Sequence, residues 1–364
     1  VQGDEVFAFA ATARDVDVSA VARYFRLPAE NLRGVVAADF AGEGTLNAPR
    51  YRFQAEAEGV GTFDWIWNRI ALAGSAGEGI GLEVDSLRVT GSGYVGYLPG
   101  LDQEGPSLPG PPVIIQADSL SLRPAAPWRE LMTALGASGD PDRGRRLLAG
   151  APVGGRVAVR NAPVAPLLLP LLNPRDGQPA TLTAPLDPML AKILVVRPAE
   201  ESEERRRPSG IGGTVDLDAR LGGAAGRLDA DVGLKGRGLW IYQAWADSMA
   251  LRGRLRESHA WLDDFRWHMG TSGLRANGDL GLNVSLLPPA VDQAGRAGWV
   301  EADLEDVDLA LASLVTGVIT DPAGRLNGRL RTELRSGRPL VTGEIRVQDG
   351  SFRIPGREER FSRI

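Results

Sequence analysis

The sequence predicts an all-β protein, mainly antiparallel, and three observations support this fold class. Apolar and charged residues alternate along most of the chain, which is typical of strands that are wet on one face and dry on the other. The 46 glycines and 25 prolines among 364 residues exceed ordinary usage and indicate frequent turns. The alternating segments recur at a spacing of about 8–12 residues, which favours antiparallel connections.

Composition limits the classes of function. The chain has no cysteine, which excludes disulfides, cysteine-ligated zinc and thiol catalysis. Its net charge is −5, which argues against a nucleic-acid surface. Position 1 is Val and the strand pattern begins almost at once, which indicates a piece of a longer protein. The longest apolar stretch, 164–174, is interrupted by prolines and is too short to span a membrane, so we expect any anchor outside this segment.

Alternation predicts strands in several segments in chain order, beginning at Val6. Within 81–91 the apolar phase shifts between Val84 and Leu87, which predicts a bulge near Ser86. A break at Gly222–Gly223 is expected to separate two strands. The other predicted strands cover 51–60, 212–221, 228–234, 278–287, 327–334 and 343–352.

The apolar members of these strands are expected to share one dry face. They are the candidate lining of a binding groove: Tyr51, Phe53, Leu82, Val84, Val215, Leu217, Leu228, Val232, Leu280, Leu282, Val284, Ile345 and Val347.

Helical signals and loops divide the chain into segments. A first β segment over 1–98 carries a short helix at 19–27 and is followed by a Pro/Gly loop at 99–112. A second β segment over 113–198 carries a helical insertion at 126–149, and a charged loop follows at 199–210. A third β segment over 211–364 carries a short helix at 308–319.

One order of parts recurs three times. A helix-like piece is followed by an apolar-x-Gly, an alternating strand, a turn and another alternating strand, over 16–60 and again over 307–352. A middle copy carries a long insertion. Gly34, Gly213 and Gly328 mark the three copies, and their unequal spacing gives no regular sequence period.

Three stretches resemble the TamB family, within the AsmA-like group of bridge-like lipid-transfer proteins of the bacterial envelope. They are NLRGVVAADFAGEGTLNAPRYRFQAEAEG, GGTVDLDARLGGAAGRLDADVGLKGRGL and LNGRLRTELRSGRPLVTGEIRVQDGSFRIPG. The family pattern is a strand, a turn with Pro, and a strand that ends in Asp-Gly-x-apolar. Pro49, Pro339 and Asp349–Phe352 match it, whereas the second copy has no proline in its turn.

The resemblance implies a long, twisted sheet folded lengthwise into a gutter, the β-taco, with an apolar interior. It implies a protein that is anchored in the inner membrane, crosses the periplasm and partners an outer-membrane β-barrel of the assembly-factor type. The family roles are movement of phospholipids between the membranes and support of outer-membrane protein assembly and secretion, as a translocation and assembly module.

Independently of the family, a sheet of this length with one apolar face must shield that face from water. It could close as a barrel, pack on a second sheet, be roofed by helices, or hold a long apolar ligand such as phospholipid acyl chains. A second hypothesis is a scaffold or chaperone whose free sheet edge pairs with outer-membrane strands. A closed β-sandwich adhesin with a conventional core is a third.

Catalysis, cofactors and metals are not expected. His259 and His268 lie near Asp263 and Asp264, but their spacing matches no metal-ligand signature, and a surface strand with Trp261, Phe265 and Trp267 packed inward explains them better. No nucleophile motif or phosphate-binding loop is present.

Overall fold

Most of the described chain lies in strands. The computed structural model describes residues 5–24, 32–45, 47–62, 65–91, 93–94, 112–135, 140–164, 211–241, 244–286, 289–293, 298–309, 320–335, 338–353 and 360–362. Strands account for 80% of these residues and helices for 9%, which confirms the all-β prediction.

The secondary structure follows the chain in three stretches. The first contains β1 (Val6–Asp17), α1 (Val18–Tyr24), β2 (Arg33–Thr45), β3 (Pro49–Thr62), β4 (Trp65–Gly77), β5 (Gly81–Gly91) and β6 (Gly93–Tyr94). The second contains β7 (Val113–Leu122), α2 (Trp128–Leu135), α3 (Pro141–Ala149) and β8 (Val153–Pro163). The third contains β9 (Ile211–Ala224), β10 (Arg227–Ile241), β11 (Ala244–Arg256), β12 (His259–Met269), β13 (Ser272–Leu280), β14 (Leu282–Leu286), β15 (Pro289–Gln293), β16 (Gly298–Asp308), β17 (Thr320–Arg335), β18 (Arg338–Arg353) and β19 (Arg360–Ser362).

Sixteen strands form one antiparallel ladder in chain order, which is not closed into a barrel. The ladder runs from β1 through β5 to β7, continues through β13 to β16, and ends at β19. The two-residue β6 adds to β4, and β14 and β15 pair only with each other. At about 4.8 Å per strand, the ladder measures roughly 70 Å from β1 to β19.

The predicted bulge in β5 is confirmed. Val84 pairs with Gly74 and Ser86 pairs with Ala73, so Asp85 has no counterpart on β4. The extra residue moves the following apolar side chains of β5 back to the face that Leu82 occupies.

Two strand predictions are wrong. The segment 278–287 is not one strand, because β13 ends at Leu280 and the chain leaves the sheet at the buried Gly281 to form the β14–β15 hairpin. The break predicted at Gly222–Gly223 is also misplaced, since β9 runs to Ala224 and the turn follows it. In both cases alternation continues across a real boundary, so it could not reveal the boundary.

The helical insertion predicted at 126–149 is confirmed as α2 and α3. Asp140 caps α3, its side chain accepting a hydrogen bond from the Asp142 amide at 3.0 Å. The helix predicted at 19–27 corresponds to α1, which is described to Tyr24. The described part of the predicted 308–319 helix ends at residue 309, and the charged loop at 199–210 and residues 99–111 lie outside the described residues.

The three sequence copies lie at equal intervals in the sheet. They begin at β1, β8 and β16, which are the first, seventh and thirteenth strands of the ladder. We call the strands that follow each of these points a unit, so that the first two units have six strands each and the third has four described strands, β16–β19. The unequal spacing in sequence therefore reflects insertions between strands, and the fold repeats every six strands.

A shared set of backbone positions defines each unit. A glycine with positive φ lies within the first five residues of the unit's second strand, and a second positive-φ residue follows 25 positions later, near the end of the third strand. The pairs are Gly34 and Gly59, Gly213 and Gly238, and Gly324 and Asp349. The prediction that Gly328 marks the third copy is therefore wrong by four residues.

Candidate functional site

One face of the sheet is apolar from end to end. Successive strand pairings connect one side chain of each strand from β1 to β18 into a row about 65–70 Å long. All fifteen members are apolar or glycine: Val16, Val36, Ala57, Ile70, Val89, Ile115, Val159, Leu217, Leu234, Leu251, Phe265, Ala276, Ala302, Leu330 and Gly343. We call the face that carries this row the apolar face.

The opposite, outer face is polar. A parallel row on it has eleven charged or polar members among fifteen: Thr12, Asp39, Gln54, Ala73, Ser86, Asp118, Arg156, Arg220, Asp231, Arg254, Trp261, Asp279, Trp299, Glu333 and Leu340. Arginines also lie over the two tryptophans of this row, at 5.9 Å and 4.8 Å from the ring centroids. This face is compatible with water along its whole length.

The apolar face is only partly covered. In the apolar row Val89 is buried, Gly343 is exposed and the other thirteen residues are half-buried. None of the large side chains in the described residues falls below 2% exposure. An ordinary core would bury such side chains almost completely. The face therefore keeps apolar surface that could contact a ligand.

Eleven of the thirteen predicted lining residues lie on the apolar face. Val215 and Leu228 are buried there, whereas Leu82 is 40% exposed and Ile345 is 48% exposed. The rest of this set are half-buried: Tyr51, Phe53, Val84, Leu217, Val232, Leu280 and Val347.

The other two predicted lining residues, Leu282 and Val284, belong to the β14–β15 hairpin and are not on the sheet. Val284 packs against a buried cluster on the apolar face formed by Leu228, Ala230 and Leu255. The hairpin therefore covers the face at this point, where the sequence predicted a strand within the sheet.

At the other end of the sheet, helix α2 covers the apolar face and contacts an aromatic cluster. Phe9 and Tyr51 each lie within 5.6 Å of the ring of Phe40, and Trp128 of α2 lies 6.1 Å from Tyr51. Phe9 is 45% exposed. Of this cluster the sequence prediction included only Tyr51. The alternation of Phe7 and Phe9 in the sequence could have placed Phe9 on the apolar face. Trp128 could not be found in this way, because it reaches the cluster only through a tertiary contact.

The histidines do not assemble a metal site. His259 Nδ1 lies 3.0 Å from Asp279 Oδ1, while Asp263 and Asp264 pair with arginines. No group of three potential metal ligands comes together in the described part of the chain. The inward packing predicted for Trp261 is wrong, because a bulge places it on the outer face, stacked 5.3 Å from His259. Phe265 and Trp267 do lie on the apolar face.

All the pKa shifts have local causes among polar groups outside the apolar row. Hydrogen bonds from Thr12 and then Arg14 lower the pKa of Asp39, and the hydroxyl and amide of Ser19 lower the pKa of Asp17. Hydrogen-bonded carboxylates raise the pKa of three arginines. These are Arg160 beside Asp218, Arg254 beside Asp263 and Arg329 beside Asp303. Ordinary hydrogen bonds and ion pairs explain each of these shifts.

A polar cleft of about 410 Å³ lies near β16–β18. Its lining includes Glu301, Arg329, Arg331 and Glu344. Arg329 and Arg331 already pair with carboxylates. The charged residues of its lining are part of the ion-pair network of the outer face.

Comparisons with protein-family models, with curated proteins and with solved structures give no match to this chain. Among the described residues, no helix has the length and apolar character needed to cross a membrane. The candidate site is therefore defined by its own geometry, which is a long, partly covered apolar face backed by a polar one.

Proposed function

We propose that the apolar face binds the acyl chains of phospholipids and conducts them between the inner and outer membranes of a bacterial envelope. The uninterrupted, half-exposed apolar row from β1 to β18 is the observation that carries this proposal. The resemblance to the TamB family supports the periplasmic setting, the inner-membrane anchor and an outer-membrane β-barrel assembly factor as partner. In this role the protein would support outer-membrane protein assembly and secretion, without catalysis or a cofactor.

The energetics favour a continuous face over separate pockets. Shielding one CH₂ group from water is worth about 0.8 kcal/mol, so an acyl chain of about 16 carbons needs on the order of 12 kcal/mol of shielding along its path. A gap in the apolar row would expose part of the chain and raise a barrier. Polar headgroups can stay in water beside the sheet while the chains follow the row.

Native mass spectrometry of the purified protein, with lipid extraction from the same sample, tests the proposal. We expect co-purified phospholipid in the wild type. Leu217→Asp and Ile115→Asp each place a carboxylate in the apolar row and should reduce bound lipid about tenfold or more, because the charge must stay hydrated.

The matched control for Ile115→Asp is Gln116→Asp. Gln116 is the next residue of β7, faces outward and pairs with Arg88, so a carboxylate there is tolerated. Its lipid content should equal that of the wild type. Equal lipid in all variants would contradict the assignment of the apolar face as the binding site.

A second candidate function is a scaffold that pairs its sheet edge with strands of outer-membrane proteins. β19 pairs only with Ser351–Arg353, so β18 has no described partner on that side along 338–350. Leu340 and Val341 on this edge are 51% and 56% exposed. A stable wild-type protein that carries no lipid in the mass-spectrometry experiment would favour this scaffold.

A further inference from the structure

Two unrelated insertions occupy equivalent places in successive units. The α2–α3 pair joins β7 to β8, the sixth and seventh strands of the ladder, and the β14–β15 hairpin joins β13 to β16, the twelfth and thirteenth. Both leave and re-enter the sheet at the edge where β1 begins, because neighbouring strands are antiparallel. We call this the lower edge.

Both insertions fold back onto the same position of the apolar face. Trp128 of α2 contacts Tyr51, which precedes Gly59 by eight residues. Val284 of β14 contacts the cluster that contains Ala230, which precedes Gly238 by the same distance. In the third unit the equivalent residue is Val341, which is 56% exposed. A helix and a hairpin thus cover one position, and in the described part of the third unit this position is exposed.

The described hydrogen bonds between the hairpin and the rest of the protein include one short bond and two long ones. The hairpin's two five-residue strands pair only with each other. The Leu286 amide donates to the Ala225 carbonyl at 2.7 Å, and hydrogen bonds from Ser285 and to Asn283 are long, at 3.4 Å each. A two-stranded hairpin is marginally stable alone in water, so it needs contacts with the sheet, and the packing of Val284 supplies an apolar one.

We propose that the β14–β15 hairpin is a displaceable cover, which shields the apolar face when no ligand is bound and moves away when an acyl chain enters. This inference rests on the proposed lipid function and adds a regulatory element to it. Val284 provides in the empty state the apolar contact that a ligand provides in the occupied state.

Competition between cover and ligand predicts effects of opposite sign for two similar substitutions. If the closed form dominates, the apparent Kd of a ligand rises in proportion to the stability of closure. Val284→Ala weakens closure and should lower the apparent Kd for a dansyl-labelled fatty acid about fivefold. Val159→Ala removes the same methyl groups from the apolar row, at a residue that does not pack against this cluster, and should raise that Kd.

A direct readout of movement uses the absence of cysteine in the chain. Leu286, which is 39% exposed, is replaced by cysteine and carries a single nitroxide label. We expect the label to become more mobile when unlabelled fatty acid is added. A label at Gln116→Cys, on the outer face of β7, should not respond.

The outcomes separate the two proposals. Fatty-acid binding with an unchanged Leu286 label, or weaker binding by Val284→Ala, would make the hairpin a fixed wall and overturn the cover alone. If neither the wild type nor a variant lacking residues 282–293 binds fatty acid, both the cover and the lipid function are overturned. Tight binding only in the deletion variant would support the cover.

Discussion

At the scale of single residues, arginine–carboxylate pairs connect neighbouring strands on the outer face. Arg14 and Asp39 join β1 to β2 at 3.0 Å, and Arg256 and Asp231 join β11 to β10 at 2.6 Å. Exposed pairs of this kind add little stability each, but they fix which residues of adjacent strands lie opposite one another. Thirty-nine of the 41 basic residues are arginine, whose planar group suits such pairing.

The lowered pKa of Asp39 predicts that the stability of the edge strand β1 depends on pH. The pKa of Asp39 in the folded state lies below the ordinary 3.8. Its contribution to stability is therefore fully present above pH 3.8 and is lost as the pH falls through the lowered pKa. The hydrogen-exchange protection factors of the β1 amides, which correct the exchange rates for the intrinsic effect of pH, should therefore fall in acid. Asp39→Asn should exchange faster at neutral pH and show a smaller change in acid, whereas parallel acid responses in the two proteins would contradict this role.

At the scale of elements, the bulges near the end of each unit's third strand determine where the backbone bends. They also determine which side chains lie on each face of the sheet. Each bulge brings a positive-φ residue of one strand against a positive-φ glycine of its neighbour. At Gly213 an added Cβ would lie 2.5 Å from the Gly238 carbonyl oxygen and 2.8 Å from Leu239 Cα. Neither atom can move without shifting the β10 backbone, so this close approach requires glycine.

Gly213→Ala should therefore destabilise the protein by about 1–3 kcal/mol, from strain at φ +98° and from the backbone contact. Gly233→Ala is the matched control, because an added Cβ at Gly233 meets nothing within 4 Å. Urea unfolding measures both. Similar midpoints for the two variants would show that the bulge does not require glycine at position 213.

At the scale of the whole molecule, each strand of the ladder contacts its sequence neighbours, and the sheet grows by adding units along one axis. Stability in such a protein is a sum of local strand and interface contributions. An open ladder also leaves much of both faces accessible, which a barrel or sandwich would not. The proposed transport depends on this property, because a lipid must travel along the face.

Small-angle scattering tests the open form. A compact protein of this length would have a radius of gyration of about 21 Å. We expect a clearly larger value, because the ladder alone measures roughly 70 Å. A value near that of a compact protein would mean that the sheet coils until its ends meet, and the face would then be enclosed.

Alternation by itself determined the strand class and most of the lining. Leu217 and Ile345 could be assigned to the apolar face because side chains change sides at every residue of an extended chain. The bulge in β5 was also visible, since the apolar phase shifts within 81–91. The spacing of 25 residues between Gly34 and Gly59 was available too, but it emerges as a repeat only once the positive φ values are known.

Tertiary structure alone decided which alternating segments join the sheet and what covers its face. Leu282 and Val284 continue the pattern of Leu280, yet they leave the sheet at Gly281 and pack onto it from above. Trp128 reaches Tyr51 across 77 residues of chain. A periodic pattern reports only that a side chain faces apolar surroundings. It cannot distinguish a strand of the sheet from an insertion that covers the sheet, because both bury the same kind of surface.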